Sequence, residues 1–346
     1  MAYEKKKDDS AQRLLREQIK NHDLQRLYVF HGEESYLKDF YKGEIEKQIG
    51  GTGFDEFNLI YLDGANMDED AFNDAVESLP FGSEKKLVVI RDPEFSSWPA
   101  RLKDALPEIF ANLPEYLCMI LLFQGIEYKP DKRQNLYKSI EKNGLAVEFS
   151  KAQSSELVKW LQRRFAANKK KISPADCDYI IFLCGSLMTN LITEVDKISA
   201  YAKGDVISRA DIDAVASRVL EADVFDLTDC IMKGDYKKAI SILRDLMEMK
   251  NEPVAVLAAL TRQTQRIYAA SLARKAGQGE SYIMNLYNFR SSYPARLLMQ
   301  AAGRTTPLRA ARALDLCCQA DTELKSNIPD QQRVLELVIL RMAQVR

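Results

Sequence analysis

Between Leu27 and Phe149 the sequence alternates five times between short apolar runs and stretches whose apolar residues recur at spacings of three and four. The apolar runs are Leu27–His31, Phe57–Leu62, Leu87–Arg91, Leu117–Phe123 and Leu145–Phe149. Each is too short for a buried helix and rich in branched side chains, so each reads as a strand buried on both faces. The intervening stretches read as helices: Glu33–Gly50, Asp68–Leu79, Leu102–Leu113 and Asp131–Asn143. Strands separated by helices pair in parallel and need helices on both faces of the sheet. From Ser154 onward strand signals vanish and amphipathic helices follow one another to the end. The expected fold class is therefore α/β followed by all-α. Residues 1–150 form a five-stranded parallel α/β domain, 151–215 a small helical domain and 216–346 a helical bundle. Residues 1–20 read as a charged helix with a weak stripe of Leu14, Leu15 and Ile19.

Ser78-Leu79-Pro80-Phe81-Gly82 joins one of these helices to the third strand. Pro80 cannot continue the helix, and Gly82 tolerates the turn. Leu79 and Phe81 fall where side chains usually face water. Two large apolar groups on a protruding turn suit a docking knob; the alternative is that both fold back onto their own domain.

A parallel sheet that opens strand, glycine, helix invites comparison with nucleotide-binding folds, whose ligands lie at the carboxyl ends of the strands. A phosphate loop needs G-x-x-x-x-G-K-[ST], with backbone amides and a lysine around the phosphates. Here the stretch is His31-Gly32-Glu33-Glu34-Ser35-Tyr36-Leu37-Lys38. The second glycine and the Gly-Lys-Ser/Thr triplet are absent, and Glu33 and Glu34 would repel phosphate. This is a degenerate loop at Gly32, Glu33, Glu34 and Ser35, not expected to bind ATP. No nucleophile elbow, dinucleotide fingerprint or zinc-protease motif occurs, so no catalytic residue and no cofactor are expected.

Charge is balanced, with 49 basic and 50 acidic residues, which argues against a chain that grips nucleic acid on its own. The six cysteines form no C-x-x-C pair and read as reduced core residues; with only two histidines, a metal site is not expected. The polar N-terminus has no signal-peptide pattern, and no window is apolar enough to span a membrane, so a cytoplasmic protein is expected.

Four stretches in order resemble the delta subunit family of the bacterial DNA polymerase III clamp loader. Leu27-Tyr28-Val29-Phe30-His31-Gly32-Glu33-Glu34-Ser35-Tyr36-Leu37 is similar to its first strand and degenerate loop. Ser78-Leu79-Pro80-Phe81-Gly82 with Lys86–Ile90 is similar to its clamp-binding element and next strand. Val224–Asp229 with Gly234-Asp235 and Ala239, then Glu252-Pro253 with Val256-Leu257, Leu260 and Arg262-Gln263, resemble its third domain. The resemblance runs from about residue 24 to 345. It implies an AAA+-like module in two parts, 1–150 and a lid at 151–215, then a helical collar at 216–346. It implies a polymerase-holoenzyme component that binds and opens the sliding clamp (beta) through a hydrophobic wedge, Leu79, Pro80 and Phe81, for loading onto primed DNA, without hydrolysing ATP. The collar would pack against the gamma/tau and delta-prime subunits, in the bacterial cytoplasm at the nucleoid. The delta-prime type usually carries a cysteine cluster and a Ser-Arg-Cys motif, which this chain lacks. Arg262, Arg266 and Arg274 are candidates for DNA phosphate contact, the alternative being a solvated helix face. The competing function is an AAA+-related NTPase with an atypical nucleotide site.

Overall fold

The computed structural model describes residues 2–51, 53–131, 133–289, 291–326 and 330–344. These divide into two compact units, one of residues 1–152 with Leu187–Thr189, the other of Gln153–Ser186 with Asn190–Arg346.

The first unit contains, in chain order, α1 (Ala2–Asn21), β1 (Leu27–His31), α2 (Ser35–Ile49), the single turn α3 (Asp55–Asn58), β2 (Leu59–Asp63), α4 (Glu69–Glu77), β3 (Lys86–Arg91), α5 (Ala100–Ala111), β4 (Leu117–Leu122), α6 (Asn135–Asn143) and β5 (Leu145–Glu148). The five strands form one sheet of order β2-β3-β4-β1-β5, all pairs parallel. Because side chains alternate along a strand, each strand feeds two cores. Leu27, Val29, Val88, Ile90, Met119 and Leu121 face Phe72, Leu102, Leu106, Phe110 and Ile140 of α4, α5 and α6. Tyr28, Phe30, Leu87, Val89, Ile120 and Leu122 face Leu15, Ile45 and Ile49 of α1 and α2. α1 is thus part of the sandwich. Its Leu15 is fully buried, its Gln12 Nε2 donates to the Glu148 carbonyl of β5 at 2.7 Å, and its Gln18 accepts from the Tyr28 hydroxyl at 2.9 Å.

The strand expected over Phe57–Leu62 starts only at Leu59, since Asp55–Asn58 closes a helical turn first. The helix expected to reach Leu79 ends at Glu77. Ser78 is already extended, and a residue before proline, as Leu79 is, avoids the helical region. α6 begins at Asn135 rather than Asp131, and residue 132 of that stretch lies outside the described residues.

Among the described residues, the regular structure of the second unit is helical but for one isolated bridge, Lys171 to Val206. Its elements are α7 (Ser154–Ala167), α8 (Pro174–Cys184), α9 (Met188–Tyr201, whose first residues belong to the first unit), α10 (Arg209–Val215), α11 (Leu220–Lys233), α12 (Tyr236–Glu248), α13 (Pro253–Lys275), α14 (Glu280–Leu286), α15 (Ser292–Ala302), α16 (Pro307–Lys325) and α17 (Gln331–Gln344). Leu227, Leu243, Leu260, Leu298, Cys317 and Val338 belong to one core drawn from α11 to α17. Of the six cysteines, Cys318 is exposed, a departure from the reading of all six as core. Consecutive helical residues lie about 100° apart, so Cys317 and Cys318 cannot share the buried face of α16. Among the described residues no single helix is long and apolar enough to cross a membrane.

Candidate clamp-docking turn and the degenerate phosphate loop

Leu79 is 75% exposed and Phe81 56%, with Pro80 half-buried between them. The turn is held by side chains of α3 and β3. Asn58, fully buried at the end of α3, clasps the Phe81 backbone both ways: its Nδ2 donates to the Phe81 carbonyl at 2.7 Å, and its Oδ1 accepts from the Phe81 amide at 2.8 Å. Lys86, the buried first residue of β3, donates through Nζ to the Ser78 carbonyl and to the Ser78 hydroxyl at 2.9 Å. Burial pushes its ammonium down to about 8. Gly82 has φ +63°, and a Cβ there would lie 2.9 Å from the Phe54 ring, so both the turn and the aromatic packing require glycine.

The Phe81 ring stands edge-on to Phe54, centroids 4.7 Å apart, and 5.9 Å from Phe57. Phe54 and Phe57 are themselves exposed. Leu79 and this aromatic group are the apolar exposure around the turn, and a shallow groove lined by Phe57, Ile60, Ala75 and Ser78, with Glu56, Asp74 and Glu77 at its sides, runs alongside. Apolar groups held on a fixed backbone lose less entropy on docking than groups on a mobile one. Sequence reasoning singled out Leu79 and Phe81 but missed Phe54, Phe57, Asn58 and Lys86. A readable signal existed for one of them: a lysine opening a four-residue apolar strand must find a buried acceptor.

At the carboxyl ends of β1 and β4 the expected loop is occupied by the chain's own side chains. Glu34 is fully buried and caps α2: one carboxylate oxygen accepts from the Tyr36 amide at 3.3 Å, the other from the Met188 amide at 3.2 Å. Burial raises its pKa, opposed by those two amides and by Lys151 and Lys38. Glu33 pairs with Lys151, and Ser35 is the first residue of α2. Lys38, also buried, donates through Nζ to the carbonyls of Gly32 and Phe123, both at 2.7 Å. Nearby, Asp92 accepts at one oxygen from the amides of Gln124 (2.7 Å), Gly125 (2.8 Å) and Ile126 (3.3 Å). A helix N-terminus and a nest of successive amides are the usual seats of phosphate. In this chain each already holds a carboxylate.

His31 closes β1 with its ring 4.9 Å from Tyr128. Burial, with Lys38 adding to it, pushes the imidazole down to about 4. The folded state thus binds its proton less readily than the unfolded chain. The contribution is complete above pH 6.5 and is lost as pH falls from 6.5 towards 4, by at most about 3 kcal/mol. The stability of wild type, from urea titrations across that window, should fall more steeply than that of His31→Gln; parallel profiles would remove this assignment.

The family model described as DNA polymerase III, delta subunit, matches residues 28–150. A second, covering the carboxyl-terminal domain of the same delta subunit, matches residues 221–342. Together the two span more than half of the chain. The chain belongs to the DNA polymerase III delta subunit family. DNA polymerase III subunit delta of Bacillus subtilis is 22% identical over 337 residues, 94% of each chain. That of Escherichia coli is 17% identical over 320 residues, 91% of each. The solved Bacillus subtilis DNA clamp loader delta protein shares the fold with a TM-score of 0.57, at 20% identity over 95% of this chain and 98% of that one.

In this delta-family chain the three arginines proposed for DNA do not form one cluster. Arg262 and Arg266 share a face of α13, one turn apart. Arg262 lies 3.4 Å from Glu221, and Arg266 lies over the rings of Tyr287 and Phe289. Arg274, exposed near the end of the helix, reaches towards Gly303 instead.

Proposed function

We infer that this chain is the clamp-opening subunit of a bacterial DNA polymerase III clamp loader. It grips the sliding clamp by Leu79 and Phe81, with Pro80 setting their angle. The observation that carries this reading is that both side chains stand in solvent on a backbone fixed from below by Asn58 and Lys86. Such a wedge opens a ring without chemistry if it binds the open form more tightly than the closed one, because a ligand shifts an equilibrium by its differential affinity. Burial of two such anchors supplies about 1.5–3 kcal/mol each. The helical unit divides into a lid, 151–215, and a collar, 216–346, and the collar packs against the gamma/tau and delta-prime subunits. Within that assembly, in the cytoplasm at the nucleoid, the clamp is delivered to primed DNA.

ATP is neither bound nor hydrolysed by this chain. Glu34 and Asp92 supply the negative charge at the two amide seats, and Lys38 is spent on carbonyls. The test is to measure, on the purified full chain, clamp binding without nucleotide and ATP binding by calorimetry. Clamp binding with no ATP binding up to millimolar concentration is expected. Micromolar ATP affinity would overturn the nucleotide-independent part; failure to bind the clamp would overturn the wedge.

A further inference from the structure

The helical unit contains a cavity of about 430 Å³ that the clamp reading leaves unused. Every described residue that lines it belongs to that one unit. Its walls are largely apolar, with Leu157, Phe182, Phe225 and Phe289 among them. Its size is that of small-molecule sites, which combine apolar walls with a few placed polar groups.

Two of those polar groups stand on the same face of α13, three residues apart. Gln263 is 7% exposed, and its Nε2 is buried with no hydrogen-bond partner among the described residues. A buried amide donor left unpaired is destabilising, so an acceptor supplied from outside would recover that cost. Arg266 lies with its guanidinium over the Phe289 ring, 5.4 Å from the centroid. Arg262 is a second cation one turn away, and the carboxylate that acts on Arg266 is Glu221, which Arg262 holds at 3.4 Å. Burial and the Arg262 charge both lower the Arg266 pKa, against the pull of Glu221 and Tyr287. The other carboxylate in the wall, Asp178, accepts from the hydroxyls of Ser154 at 3.2 Å and Ser291 at 3.0 Å.

We propose that this cavity is a binding site for a small carboxylate with an aromatic body. The carboxylate bridges Gln263 Nε2 and the Arg266 guanidinium, and the ring lies among Phe182, Phe225 and Phe289. Arginine and an amide donor side by side match the two oxygens of a carboxylate, and the aromatic walls take a flat apolar body.

The probe is 2-naphthoate, titrated into the full chain by calorimetry against the neutral isostere 2-naphthamide. One 2-naphthoate per chain with sub-millimolar affinity is expected, with the amide at least tenfold weaker. Gln263→Leu and Arg266→Gln should each weaken 2-naphthoate at least tenfold while thermal unfolding stays cooperative. Equal binding of acid and amide, or binding that neither variant alters, would overturn the proposal. So would no binding at millimolar probe. Should Gln263→Leu unfold the chain, Gln263→Glu, which keeps the shape and sets a like charge against the ligand, decides by the same criterion. Displacement of 2-naphthoate by a short primed DNA but not by other carboxylates would assign the two arginines to phosphate instead and also overturn it.

Discussion

The variant Leu79→Ala/Phe81→Ala is expected to lose about 100-fold in affinity for the sliding clamp, close to 3 kcal/mol. Each side chain is mostly in water in the free chain, so its truncation removes apolar area that only a partner can bury. Folding should be little affected. Leu79→Ala falls within the roughly 0.5 kcal/mol of ordinary surface changes, and Phe81→Ala forfeits in addition the edge-on contact with Phe54, about 1 kcal/mol. Surface plasmon resonance against the clamp, beside thermal melts, separates the two effects. Asn58→Ala sharpens the test. It leaves both apolar side chains in place but frees the Phe81 backbone from its two hydrogen bonds, so affinity should fall by ordering cost alone. Equal clamp affinity of wild type and the double variant would place the docking surface elsewhere, with Phe54 and Phe57 the next residues to change.

The sheet was legible because its strands are runs of branched apolar residues bounded by turns and separated by helices, the pattern of parallel strands buried on both faces. Element ends were less so. Leu79 continues the apolar spacing of α4, and only the conformational restriction from Pro80 removes it from the helix. Phe57 and Asn58 look like the start of a strand because the sequence does not show that Asp55 opens a helical turn. That the loop after β1 lacks the second glycine and the Gly-Lys-Ser/Thr triplet is plain in the sequence. That Glu34 accepts from the Met188 amide was beyond reach, because the two residues meet only after folding, 154 positions apart. The same holds for the arginines of α13. Spacing puts Arg262 and Arg266 on one face, but the charge and rings that each meets come from α11 and the segment after α14.

Gly32→Ala is expected to destabilise the α/β unit by about 3 kcal/mol or more. Two costs add. Gly32 has φ +104°, a conformation that costs a residue with a side chain roughly 1–3 kcal/mol. A Cβ at this position would also lie 2.6 Å from the carbonyl oxygen of Phe149 and 2.8 Å from its amide nitrogen. That backbone cannot give way cheaply. The Phe149 amide donates to the His31 carbonyl at 2.7 Å, its carbonyl accepts from the Glu34 amide at 2.8 Å, and its ring is buried against Phe30 and Tyr41. Gly51→Ala is the control: φ is +80° there, and nothing lies within 4 Å of the added Cβ, so it should cost only about 1 kcal/mol. Urea titrations of the two variants measure the difference. A large gap means that this loop keeps its glycine so that β1 and the segment after β5 can close together, and not to admit a phosphate. Equal, small losses would mean that the backbone at Phe149 yields, and the loop would then have the freedom that a ligand-binding loop needs.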